Sequence, residues 1–175
     1  MTLSVSAASY NKRVISDGVQ SCINGLNTAN SNLLGLTDAV KGFTSAAGYG
    51  GAIALHKPVE ALETLLKSIN TACCSITTTV SHEEATTVFD LVADFVPNVT
   101  GSLDVIISKK PEFAAVLFAD IIIKNDVKVL ADLVKKLDSC LISAAPEDLL
   151  DSAQSYIDVI DAKLDSAFTA YGITA

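Results

Sequence analysis

The stretch Ile15–Phe43, ISDGVQSCINGLNTANSNLLGLTDAVKGF, decides the fold. Apolar or small residues recur in steps of four and three, at Ile15, Val19, Cys22, Leu26, Ala29, Leu33, Leu36, Val40 and Phe43. That spacing is the period of an amphipathic helix and not the period of two of a strand. The rhythm returns at Val59, Leu62, Leu66, Ile69, Cys73, Ile76 and Val80, and again at Val88, Leu91, Phe95, Val99, Leu103 and Ile106. Ala153, Ile157, Ile160, Leu164 and Tyr171 carry it to the end of the chain. Long helices that pack on one another follow.

Working outward, the first pattern extends over about residues 8–46, which as one straight helix would exceed about 50 Å at ~1.5 Å per residue. A bend is expected between Asn24 and Asn32, where Gly25, Asn24, Asn27, Asn30 and Asn32 are weak helix formers. Gly48-Tyr49-Gly50-Gly51 is expected to end this helix and supply the turn. In the second helix Pro58 marks the first turn or a kink. Ser81 and Glu84 have capping-box spacing and open a third helix, which Pro97 should bend. Lys109-Lys110-Pro111 closes it, and Pro111 begins a fourth that runs to about Ala144. The first half of the fourth, Phe113 to Ile123, is apolar on nearly every side, as in a helix enclosed by others. Pro146 starts the fifth, with Glu147, Asp148 and Asp151 favourably placed near its N-terminus. Short connections make successive helices antiparallel. The expected architecture is all-α: residues 1–175 form a single domain, an elongated antiparallel five-helix bundle with an internal apolar cavity.

Composition narrows the function. Half of the 175 residues are hydrophobic, only 18% are charged and 6% are aromatic, so the interior is aliphatic. Twelve basic against twenty acidic residues give a net charge of −8, which repels phosphate backbones and argues against nucleic acid as a partner. The apolar run 113–123 contains Asp120 and falls short of the ~18 residues of a membrane span. Met1–Ser9 lacks the basic start and apolar core of a secretory signal, which suits either a cytosolic chain or a mature domain behind an added Met. The sequon Asn98-Val99-Thr100 favours the second reading and makes Asn98 the candidate glycosylation site.

If successive helices alternate in direction, Cys22, Cys73, Cys74 and Cys140 fall in one layer. Cys22 with Cys73 is the most natural disulfide pairing, and four buried reduced thiols are an equal alternative. Adjacent Cys73 and Cys74 project about 100° apart on a helix, which suits metal chelation poorly. His56 and His82 are expected at surface or cap positions, and no Gly-x-Ser-x-Gly elbow occurs. Asp120 is expected on the wet edge of its helix. Gly18, Gly25, Gly35 and Gly42 should border either a tight helix crossing or a ligand. No enzyme activity, metal or cofactor is expected.

Several segments also resemble the fungal hydrophobic surface binding protein A family, which includes the Mp1p-like cell-wall galactomannoprotein antigens of pathogenic moulds. They are Val14-Ile15-Ser16-Asp17, Tyr49-Gly50-Gly51, Lys109-Lys110-Pro111-Glu112-Phe113, Ala145-Pro146-Glu147-Asp148-Leu149-Leu150 and Tyr156-Ile157-Asp158. The resemblance implies a secreted or cell-wall protein that binds and sequesters long-chain fatty acids such as arachidonic acid, with a contribution to virulence. Its alternative implication is a protein that coats hydrophobic surfaces or the fungal wall and its glycans without an internal ligand. The four cysteines depart from the family pattern. At ~0.8 kcal/mol per buried methylene, a chain of about fifteen contributes on the order of 12 kcal/mol before association costs, so a strong ionic anchor is unnecessary. The inward stripes nominate the lining: Leu33, Leu36 and Val40; Leu62, Leu66 and Ile69; Val92, Phe95 and Val99; Leu117 and Ile121; Ile157, Ile160 and Leu164. Thr37, Ser102, Ser143 and Tyr156 are nominated as neutral donors to the carboxylate.

Overall fold

The computed structural model describes residues 15–76 and 80–174. Helix α1 spans Asp17–Gly42, α2 Gly48–Cys74, α3 His82–Ser108, α4 Lys110–Ala114, α5 Ala119–Ala144 and α6 Leu150–Tyr171. Short 3-10 turns at Ser45–Ala47 and Glu147–Leu149 lead into α2 and α6. The five long helices close a ring in which α1 contacts α2, α2 contacts α5, α5 contacts α6, α6 contacts α3, and α3 returns to α1. The apolar stripes point into that ring, and buried residues from all five long helices form one continuous core.

Helix directions can be read from the bonds between helices. Ser16, at the start of α1, donates its backbone N–H to Glu84 near the start of α3 at 2.8 Å, so neighbours α1 and α3 run parallel. His56 and Asp126, both near the starts of their helices, meet at 2.9 Å, so α2 and α5 are parallel too. Antiparallel succession along the chain thus coexists with parallel neighbours in space.

The capping box forms as the Ser81–Glu84 spacing requires: Glu84 N–H donates to Ser81 Oγ, and Ser81 N–H donates to Glu84 Oε2 at 2.9 Å. Together with the bond from Ser16, these contacts hold the Glu84 carboxyl down at a pKa of about 2.

Two boundaries differ from expectation. Among the described residues α1 begins at Asp17 and runs unbroken to Gly42, about 39 Å at ~1.5 Å per residue; the expected stretch from residue 8 to residue 14 lies outside the description. The asparagines sit mainly on its wet side, where Gln20 donates to Asn24. Gly48–Gly51 does not end a helix but opens α2: Gly48 takes φ +60° at the junction, which glycine tolerates best, and helix follows at once. Pro58 lies inside α2 rather than in its first turn, and Pro97 lies inside α3, as expected. Both are exposed, so neither ring removes a hydrogen-bond donor from the core.

The largest correction concerns the fourth helix, which is two. Helix α4 stops at Ala114, the chain turns through residues 115–118, and Phe118 takes φ +66° before α5 starts. Among the described residues the bundle therefore has six α-helices, five of them long. The apolar run 113–123 is not enclosed: Phe113, Val116, Ala119 and Ile123 point inward, while Leu117, Phe118 and Ile121 are 74%, 59% and 64% exposed. This end is closed by Phe113 stacked on Phe43 at 4.5 Å and by Lys109 Nζ donating to the Phe43 carbonyl at 2.8 Å. Lys110 donates to the Ala170 carbonyl. The fully buried Tyr171 hydroxyl donates to the Ile106 carbonyl at 2.7 Å.

Candidate functional site

Two apolar pockets, both partly open, lie between the helices of the ring, stacked along the bundle. The first lies toward the starts of α1 and α3, has a volume of about 90 Å³ and is walled by all five long helices. The second lies toward the α4 end and has a volume of about 80 Å³, also with all five contributing. Between them is a layer that lines neither: Leu26 and Ala29 of α1, Ile69 of α2, Val96 of α3 and Leu137 of α5, all buried. Helix α3 is long and apolar enough to cross a bilayer; its apolar side instead forms a wall shared by both pockets.

The pocket near α4 carries no ionisable side chain. Its polar groups are the hydroxyls of Thr37 and Ser102, buried at 8% and 6% exposure and 2.5 Å apart. Thr37 donates to the Leu33 carbonyl at 2.7 Å, and Ser102 donates to the Asn98 carbonyl at 2.6 Å. Two hydroxyl protons serve three contacts, so either hydroxyl is free to redirect its proton to a carboxylate at the cost of one carbonyl bond.

Of the nominated lining residues, Leu33, Leu36, Val40, Leu62, Leu66, Val99, Ile160 and Leu164 come together around this pocket, as do Thr37 and Ser102. Val92 and Ile157 line the other one. Ile69 lies in the layer between, and Phe95 packs half-buried against the core. Leu117 and Ile121 are on the outer surface, because the break at residues 115–118 turns their side of the chain outward. Ser143 is exposed and donates to the Ser139 carbonyl. Tyr156 packs on Phe89 at 5.1 Å and lines neither pocket. The α5 wall, Val127, Leu130, Ala131 and Val134, was not nominated although its spacing of three and four is plain in the sequence. The apolar run before it drew the assignment away.

The walls of the first pocket include the Cys22–Cys73 disulfide, whose Cα atoms are 4.9 Å apart. Cys74 bonds Cys140, with Cα atoms 5.2 Å apart. The divergence of adjacent positions on a helix explains the pairing: Cys73 faces α1 and Cys74 faces α5, so α2 is tied to both ring neighbours. Gly25 permits the close crossing beside this link, since a Cβ there would lie 2.7 Å from Ile69 Cγ1. A Cβ on Gly18 would make ordinary contact with Ile76 at 3.7 Å. Gly35 and Gly42 border neither a crossing nor a pocket: they are exposed, with nothing within 4 Å of an added Cβ.

His56 is a further correction. It lies half-buried, with Nδ1 2.9 and 3.1 Å from the two oxygens of Asp126, which is only 3% exposed. Burial first of all pushes Asp126 up to about 6, while its hydrogen bond raises His56. His82 remains exposed, 3.4 Å from Asp148. Asp120 pairs with Lys124 at 3.3 Å on the rim of α5. The side-chain amide of Asn98, which would carry a sugar, donates to Asn30 at 2.8 Å from within α3. No cluster of three metal-ligating side chains occurs among the described residues.

The architecture is thus an all-helical ring with two apolar pockets between its helices, one of them free of ionisable side chains. The chain belongs to the hydrophobic surface binding protein A family, whose model matches residues 19–143. Its fold is shared with AfMp4p, crystallised in complex with palmitic acid, at TM-score 0.81 and 22% identity over 87% of this chain and 99% of that one. Ligand-binding domain 2 of the Penicillium marneffei MP1 protein, complexed with multiple arachidonic acids, superposes with TM-score 0.76 at 18% identity, covering 93% of this chain and all of that domain. Domain 1 of the same protein, also complexed with arachidonic acids, gives 0.68 at 17% identity, covering 88% of this chain and 93% of that one. No curated protein sequence matches the chain.

Proposed function

We propose that this protein is a non-enzymatic carrier that sequesters a long-chain fatty acid in the pocket near α4. The observation that carries this reading is a wall drawn from five helices whose only polar groups are the paired hydroxyls of Thr37 and Ser102. The solved relatives with the same fold hold palmitic and arachidonic acids, which supports the same ligand class here. At ~10–15 Å³ per water-sized group the pocket has room for roughly five to eight methylenes, contributing about 4–6 kcal/mol. A longer tail requires the layer around Ile69 to part, which would join the two pockets along the axis. The carboxylate is assigned to Thr37 and Ser102, since hydrogen bonds to a charged group are worth about 1.5–3 kcal/mol each. Two disulfides suit secretion or the cell wall, where thiols oxidise.

Ala131, 1% exposed on the pocket wall, supplies the test. Enlarging it to Leu should fill the space and weaken binding of a fluorescent fatty acid at least about tenfold, with helix content unchanged. Undiminished binding by a folded Ala131→Leu variant would reject the pocket as the site.

Adsorption to hydrophobic surfaces is a second reading, favoured by the exposed Leu117, Phe118 and Ile121 with half-exposed Tyr49 at the same end of the bundle. A patch of this kind marks an interaction surface. Depletion onto hydrophobic beads that is abolished by Leu117→Ser with Phe118→Ser, but not by Ala131→Leu, would establish it.

A further inference from the structure

The pocket at the disulfide end differs in chemistry from the one assigned to the fatty acid. Its lining includes two carboxyl groups, Glu84 on α3 and Asp138 on α5, and no Lys, Arg or His. The residues that α1 and α2 contribute, including Val19, Cys22, Cys73 and Ile76, carry no charge. Glu84 is fully engaged: Oε1 accepts from the Ser16 N–H, and Oε2 accepts from the N–H and hydroxyl of Ser81. Asp138 is the opposite case. Its Oδ2 is buried without a hydrogen-bond partner, and so is Oδ1 of Asp161 on α6, whose charge Asp138 feels. No hydrogen bond links the two acids among the described residues, and of the two only Asp138 belongs to the pocket wall.

We propose that this pocket is a second binding site, for an alkyl chain ending in a hydrogen-bond donor, an amine above all, with Asp138 as the acceptor. An unpaired buried carboxyl oxygen is costly, and a donor in the pocket removes that cost. An ammonium also meets the two acidic groups of the wall, Glu84 on α3 and Asp138 on α5, with the charge of Asp161 beyond Asp138 and no opposing cation on the wall. A fatty carboxylate would add a further negative charge to that set, so it is disfavoured here while the uncharged pocket near α4 admits it. The apolar remainder of the wall takes the alkyl chain.

The ionisation of Asp138 sets the pH dependence. Burial, with the charge of Asp161 adding to it, pushes its carboxyl up to about 7, whereas an alkylamine stays protonated throughout this range, as the lysine ammonium does. Amine binding should therefore strengthen as pH rises through neutrality. The fraction of ionised Asp138 changes about tenfold between about pH 6 and about pH 8.

The test is a calorimetric titration of the whole protein with octylamine and with octanoic acid, both short enough for a single pocket, each below its micelle concentration and at about 0.15 M salt to screen surface charge. Octylamine should bind about tenfold more tightly at the higher pH. Asp138→Asn should flatten that profile, and Asp138→Leu should weaken amine binding at least about tenfold without altering octanoic acid binding. Ala153→Leu, which fills the same pocket from α6, should act in the same way and serves if the Asp138 variants fail to fold. Amine affinity unchanged in these variants, or octanoic acid that displaces the amine one for one, would overturn the proposal. Because the second ligand is measured separately, loss of octanoic acid binding alone rejects the fatty-acid reading and leaves the amine site standing.

Discussion

The two pockets are built from the same five helices and have almost the same volume, yet their walls differ in kind. Near α4 the only polar side chains of the wall are two hydroxyls 2.5 Å apart, and all charge is excluded. At the disulfide end a cross-link and two carboxyls share the wall. Helical periodicity produces the space in both cases, and one or two polar substitutions on the stripe decide what chemistry the space presents. Only the layer around Ile69 keeps the two apart.

The comparison is broken most severely by removing the cross-link. The Cys22–Cys73 bond closes a loop of 51 residues, so replacing both cysteines with Ala should cost about 4 kcal/mol of stability by chain entropy. Denaturant titration should register this loss, with fatty-acid binding at the α4 end retained in the folded fraction. Next in size is Ile69→Ala, at about 2–5 kcal/mol for a buried large-to-small change. It should also merge the pockets, so that affinity continues to rise with chain length beyond the point at which the native protein levels off. A series of fatty acids from eight to twenty carbons, about 0.8 kcal/mol per methylene where burial continues, measures it.

Acid titration of stability separates the two carboxyls of the first pocket. Asp138 binds its proton more tightly in the folded chain than an ordinary aspartate, so its contribution to stability declines as pH rises from about 4 to about 7. Asp138→Asn should remove that decline. Glu84 is shifted the other way: the stability from its cap is complete above the ordinary carboxylate pKa and is lost as pH falls toward 2. Glu84→Gln should flatten the acid limb only. The smallest effects lie on α1. Gly35→Ala, with open space around it, should stabilise by about 0.5–1 kcal/mol, whereas Gly25→Ala forces Ile69 aside and should destabilise despite the same gain in helix propensity. Thermal melts of the pair give the sign.

Most of the helices were legible because their apolar stripes alternate with polar faces. The segment 113–123 was not, for a physical reason. Phe113, Val116, Ala119 and Ile123 keep the inward spacing of three and four, but Leu117, Phe118 and Ile121 are equally apolar. Hydrophobicity without contrast cannot select a face, and the left-handed turn at Phe118 leaves no glycine to announce it. Asp126 and Asp138 could be found only as acids on an otherwise apolar stripe of α5. That His56 lies against the first and Asp161 near the second depends on the order of helices around the ring, which periodicity does not encode.

The central claim is that an acyl chain enters the uncharged pocket between the helices. Methyl resonances of Leu, Val and Ile followed during titration with palmitic acid test it most directly. Leu36, Val40, Leu66, Val99, Ile160 and Leu164 should shift together and saturate, while Leu117 and Ile121 stay in place. Shifts confined to Leu117 and Ile121, with the six interior residues unmoved, would contradict it.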